Sequence, residues 1–241
     1  MGCDGESGLH SCRRTEERLP RGQVEIRGYV RAEWCTMTRP ESSNVKPKLR
    51  KLADMASDLR RGRSFNITRL TTIKGFCADP DAATRFAVFL AQQAQAVLEQ
   101  KPRPEYIPEE RWATYRHLAA EAIGTMDRYL DARTEADNHE LRGLYRALEQ
   151  LQNRRQSIPF GVARLIENSD ALMVETALRI VLNPANGADE CYQLARTYAE
   201  RYDSRYGTGL IPDSAQAVET MVDYWCRHYF GVTLDEWVGR R

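Results

Sequence analysis

Apolar side chains recur every three or four positions along most of the chain between residues 45 and 238. This spacing places them on one face of an α-helix, which has 3.6 residues per turn. Clear stripes begin at Leu49, Ala83, Trp112 and Val218. A strand-like alternation occurs in Gln23–Trp34, but a lone strand would have no pairing partner there. We therefore predict an all-α fold, a multi-helix bundle of about eight or nine helices.

Residues that start and stop helices divide this pattern into segments. Asn66 is a candidate N-cap for a short helix, and Asp79 followed by Pro80 is typical of a helix start. Asp137 or Asn138 is expected to cap a later helix, and Thr233 to Glu236 has the spacing of a capping box. The connections between these segments are short, which favours antiparallel packing of neighbouring helices.

Three regions differ in composition. Residues 1–44 are predicted to be a disordered or irregular N-terminal extension, in which Met37 is a candidate natural start. Lys101 to Pro104 contains two prolines that disfavour helix, so it is a candidate linker. We place a domain boundary there, between a basic helical front part (45–100) and a helical bundle (109–241).

Cysteine usage and hydropathy bear on the compartment. The six cysteines form no CxxC pair, and a chain of this size needs no disulfides to stabilise its core. The longest apolar run is 86–91, whereas a membrane span needs about 20 residues. We expect a cytoplasmic protein with reduced thiols and no membrane association.

Motifs for catalysis and cofactors are missing from the sequence. There is no HExxH, no GxSxG elbow and no phosphate-binding glycine loop, so we predict no metal, no cofactor and no catalytic residue. Asp127 with Asp131 and Glu135 with His139 are each one helical turn apart, and we interpret them as solvated helix faces. The sequence favours a non-enzymatic protein without deciding the question, because convergent sites leave no local motif.

Basic residues are concentrated near the front of the chain. Residues 37–74 contain ten basic and three acidic residues, a net charge of +7, whereas the whole chain has a formal net charge of +1. Clustered cations bind phosphates with release of counterions. The candidate nucleic-acid-binding residues are Lys46, Lys48, Arg50, Lys51, Arg60, Arg61, Arg63, Arg69 and Lys74.

A stripe of tyrosines with interleaved arginines follows residue 190. Aromatic and arginine side chains can bind a partner protein, although the same rings can form one face of a helical bundle. The candidate partner-binding residues are Tyr198, Arg201, Tyr202, Arg205 and Tyr206. The leading hypothesis is a non-enzymatic helical interaction module that binds a protein partner or forms a homo-oligomer. The alternative is a nucleic-acid-binding protein that uses the basic segment 46–74.

Overall fold

The computed structural model describes residues 42–63, 66–100, 103, 108–153, 169–200 and 214–239. The chain divides into two compact units, Met1–Met37 and Thr38–Arg241, and the first of them lies outside the described residues. The predicted N-terminal extension and the candidate start at Met37 therefore stay predictions.

Helices account for almost all of the described residues. They are α1 (Ser42–Arg60), α2 (Ile67–Leu70), α3 (Thr72–Phe76), α4 (Pro80–Gln100), α5 (Glu109–Ala132), α6 (Glu135–Asn153), α7 (Ser169–Leu182), α8 (Gly187–Glu200), α9 (Ser214–Phe230) and α10 (Leu234–Gly239), with a 3-10 turn at Pro184–Asn186. Within these ranges there is no strand, and the two short consecutive helices α2 and α3 form one helical segment. The prediction of an all-α bundle with about eight or nine helices is confirmed.

Three of the predicted helix starts have the expected hydrogen bonds. The Thr68 amide donates to Asn66 Oδ1 at 3.0 Å, and the Ala82 amide donates to Asp79 Oδ2 at 3.1 Å. At α10 the Glu236 amide donates to Thr233 Oγ1 at 3.2 Å, while the Thr233 amide donates to Glu236 Oε2 at 2.8 Å. These side chains accept from amides that have no partner within the helix, which fixes where each helix begins.

The start of α6 differs from the prediction. The Asp137 amide donates to Thr134 Oγ1 at 3.1 Å, so Thr134 is the capping residue instead of Asp137 or Asn138. Arg133 ends α5 in the left-handed region with φ of 49°, and this sharp reversal lets α6 begin two residues later. A second difference is that α1 begins at Ser42, three residues before the predicted start.

Helix α4 is central to the fold. It packs against α5, α7 and α8, while α1 packs along α9 and α6 lies against both α5 and α7. The buried side chains form one continuous hydrophobic core that includes residues from α1, α3 and α4 as well as from α5 to α9. Of the proposed linker 101–104 the structure describes Arg103 alone, and the predicted domain boundary stays a prediction.

Trp225 on α9 anchors one end of this core. Its indole is fully buried, with ring centroids 4.9 Å from Phe76, 4.8 Å from Phe86 and 5.7 Å from Tyr229. These contacts join α9 to α3 and α4. Loss of a buried aromatic of this size typically costs about 3–5 kcal/mol of stability, so α9 is held firmly in place.

None of the described helices combines the length and the apolar character that crossing a bilayer requires.

Candidate functional site

Three of the nine candidate cations of the basic segment form ion pairs near the end of α1. Arg60 is held by Glu219 of α9 in a two-bond pair, with its Nε donating to Oε1 at 2.6 Å. Arg63 and Arg69 share the carboxylate of Asp58, at 2.9 and 2.8 Å. Two carboxylates of the same chain thus pair with these three arginines and leave one net positive charge.

Two lysines of the segment are also engaged within the fold. Lys74 Nζ lies 2.5 Å from the Asp189 carboxylate and 5.0 Å from the centroid of the Tyr192 ring, so it joins α3 to α8. Lys48 is half-buried and its Nζ donates to the Gly75 carbonyl at 3.3 Å. A Cβ at residue 75 would fall 2.6 Å from that Nζ, so the absence of a side chain on Gly75 provides the space for this contact.

The remaining four candidates, Lys46, Arg50, Lys51 and Arg61, are exposed, and no carboxylate among the described residues pairs with them. At about 100° per residue, positions 46 and 50 of α1 lie about 40° apart and position 51 lies about 100° beyond position 50, while Arg61 directly follows the last residue of the helix. We call these four residues the cationic face. Asp54 lies exposed on the same side of α1 and carries the opposing charge there.

The predicted tyrosine stripe is divided by the structure. Tyr198 is 2% exposed, so its ring belongs to the hydrophobic core and is not accessible to a partner. The other four candidates, Arg201, Tyr202, Arg205 and Tyr206, lie outside the described residues, and their role stays a prediction. The apolar stripe of α9 is likewise largely buried, because Val218, Met221 and Val222 face the core.

A surface that the sequence did not single out lies at the C-terminal end of α9 and on α10. Phe230, Leu234 and Trp237 are partly buried against the core, and Val238 is 47% exposed. We call these four side chains the C-terminal apolar patch. Leu234, Trp237 and Val238 are spaced i, i+3, i+4 from the residue that follows Thr233 of the capping box, and this spacing is the signal by which the patch could have been found.

Hydrogen bonds fix the position of the helix that carries this patch. Besides the capping box, the Leu234 amide donates to Asp223 Oδ1 at 2.7 Å. The other oxygen of that carboxylate accepts from Arg227 Nε, also at 2.7 Å. The start of α10 is therefore tied to the body of α9 through a single aspartate.

The titratable groups in the core are shifted by their surroundings. Burial, followed by a hydrogen bond and electrostatic interaction with Cys191, raises the pKa of the Cys77 thiol well above its usual value. Burial also lowers the pKa of His228, Arg85 lowers it further, and Asp81 and Asp79 act in the opposite direction. Cys77 and Cys191 are free, buried thiols, and in such a position cysteine acts as a small hydrophobic side chain of the core. The His228 ring lies in an aromatic cluster, with its centroid 5.4 Å from that of Trp225.

One of the carboxylates considered in the sequence is less solvated than expected. Asp127 is half-buried, and this burial raises its pKa, with a smaller contribution from the neighbouring Asp131. The prediction of a solvated helix face for this pair of aspartates therefore holds better for Asp131, which is exposed.

Across the described part of the chain, no group of three or more histidine, cysteine or carboxylate side chains is placed to hold a metal ion.

Comparisons of the chain with protein-family models, with curated proteins and with solved structures gave no match.

Proposed function

We propose that this chain is a non-enzymatic helical interaction module that binds a protein partner, or a second copy of itself, through the C-terminal apolar patch. The observation that supports this most directly is the exposure of Val238. Among the described residues, Val238 and Leu172 are the large hydrophobic side chains that are clearly exposed, each at 47%. Val238 differs from Leu172 because it adjoins Trp237, and tryptophan is enriched at the energetic centres of protein interfaces.

The rigidity of α10 supports the same proposal. A helix of six residues is too short to be stable alone in water, yet α10 is fixed by its capping box and by Asp223. A patch that is already ordered loses little conformational entropy on binding, which favours affinity. The partner that fits such a patch is an apolar side-chain cluster, presented by another protein or by the same patch of a second copy.

The proposal is tested with Val238→Asp, matched by Leu172→Asp as a control of equal exposure on α7. Sedimentation equilibrium measures self-association, and affinity capture from host lysate with quantitative mass spectrometry measures binding of a partner. We expect Val238→Asp to abolish the dimer or remove a captured protein, and Leu172→Asp to leave both unchanged. A monomer at high concentration, together with no captured protein that depends on Val238, would contradict the proposal.

A further inference from the structure

The cationic face of α1 is a second surface, separate from the C-terminal apolar patch. We propose that it binds the phosphate backbone of nucleic acid without sequence specificity, through Lys46, Arg50, Lys51 and Arg61. Of the nine candidate cations, these four are the ones left available for phosphate. The other five already contact carboxylates, a carbonyl or an aromatic ring of the same chain.

The pairing of each cation decides how much it can contribute to phosphate binding. A cation that is already paired must break an ion pair before it reaches a phosphate, whereas an exposed, unpaired cation exchanges only water and counterions. Lys46, Arg50, Lys51 and Arg61 are exposed and have no such pair among the described residues. They are therefore the members of the basic segment that can neutralise phosphates at the lowest cost.

The dimensions of the face suit a nucleic-acid backbone. Residues 46 to 60 span about 21 Å along α1, at about 1.5 Å per residue, and Arg61 directly follows the helix. A duplex presents about six phosphates of one strand over that length. Arginine additionally forms two-bond contacts with phosphate oxygens, and the face contains Arg50 and Arg61.

The opposite side of α1 argues against a membrane as the ligand. A helix that binds a bilayer inserts its apolar side chains into the interface. In α1 those side chains, including Leu49, Leu52 and Met55, are buried in the core, while Asp54 and Ser57 lie exposed between the cations. The cationic face can therefore attract a ligand only through its charge. The regularly spaced negative charges of a phosphodiester chain suit this kind of attraction.

The test measures binding of a fluorescent 20-base-pair duplex of arbitrary sequence by anisotropy between about 50 and 200 mM NaCl. Four phosphate contacts give a slope of about −3.6 in the plot of log affinity against log salt, so affinity falls about 150-fold over this range. Arg50→Gln with Arg61→Gln removes two contacts and should reduce the fall to about 12-fold. The matched control, Arg142→Gln with Arg146→Gln, removes the same charge from exposed positions of α6 and should leave the steep dependence unchanged.

Thermal unfolding followed by circular dichroism shows that each variant is folded. Absence of duplex binding by the unaltered protein at about 50 mM salt would overturn the proposal. Equal losses in the α1 and α6 variants would overturn it too, because they would indicate a general effect of net charge. Polyglutamate that competes as well as the duplex, or vesicles of anionic lipid that bind with the same dependence on the variants, would reassign the face to another ligand.

Discussion

Gly187 and Gly143 are both helical glycines, yet replacing each with alanine should change stability in opposite directions. Gly187 is buried at the start of α8, where a Cβ would lie 2.8 Å from the Ala83 Cβ and 3.9 Å from Ile180 Cγ2. Ala83 is fully buried on the central helix α4 and has no flexible side chain that could move aside. Helix α8 or α4 must shift to admit the added methyl group.

The magnitude follows from two opposing effects. Overpacking a core typically costs about 1–3 kcal/mol. Alanine is favoured over glycine in a helix interior by up to about 1 kcal/mol, and less at a helix start. Gly187→Ala should therefore lower the free energy of unfolding by about 1–2 kcal/mol. At Gly143 in α6 nothing lies within 4 Å of a Cβ, so Gly143→Ala should raise stability by about 0.5–1 kcal/mol.

Urea denaturation monitored by circular dichroism measures both changes as shifts of the transition midpoint at constant slope. A double variant, Ala83→Gly with Gly187→Ala, removes the opposing methyl group and should recover part of the loss, so the two sites must show favourable coupling. The reasoning is refuted if Gly187→Ala is as stable as the unaltered protein, or if its effect and that of Ala83→Gly simply add.

The other predictions concern charge and reactivity. Because the pKa of His228 is lower in the folded protein than the usual 6.5, its contribution to stability is complete above about pH 6.5 and is lost as the pH falls through the folded value. His228→Gln should flatten the dependence of unfolding free energy on pH below about pH 6.5, and an unchanged dependence would contradict this. Arg60 and Glu219 are 54% and 29% exposed, so a double-mutant cycle with glutamine substitutions should give a coupling of about 0.5–1 kcal/mol that shrinks in 1 M salt. Coupling that is independent of salt would exclude an ionic origin. Since burial raises the pKa of Cys77, iodoacetamide at neutral pH should leave this thiol unmodified in the folded protein and alkylate it in urea, as judged by peptide mass mapping. Rapid alkylation without urea would contradict the buried position.

The fold was predictable because its signals are local. The stripe that begins at Ala83 lies within the buried face of α4, and Asp79 and Thr233 each form the cap that the neighbouring residues indicate. The cap of α6 was misplaced because the left-handed conformation of Arg133, a residue with no special tendency toward it, decides where that helix begins.

The candidate surfaces were less predictable because they depend on contacts between distant residues. Arg60 meets a glutamate 159 positions later, and Lys74 meets an aspartate 115 positions later, so charge counts along the chain could not separate paired cations from unpaired ones. Similarly, the tyrosine stripe predicts which face of a helix Tyr198 occupies. The stripe does not indicate whether that face packs against the core or is exposed to solvent.

The hydrogen bond from Lys48 to the Gly75 carbonyl makes the position of a charged side chain depend on an uncharged residue. A methyl group on residue 75 would contact the Lys48 ammonium group, which ends a flexible side chain and can rotate away. The backbone of α3 cannot move aside in this way. Alanine at this position would therefore displace the ammonium group into water without unfolding α3. The electrostatic potential at this edge of the molecule thus depends on the smallest side chain as well as on the ionised ones.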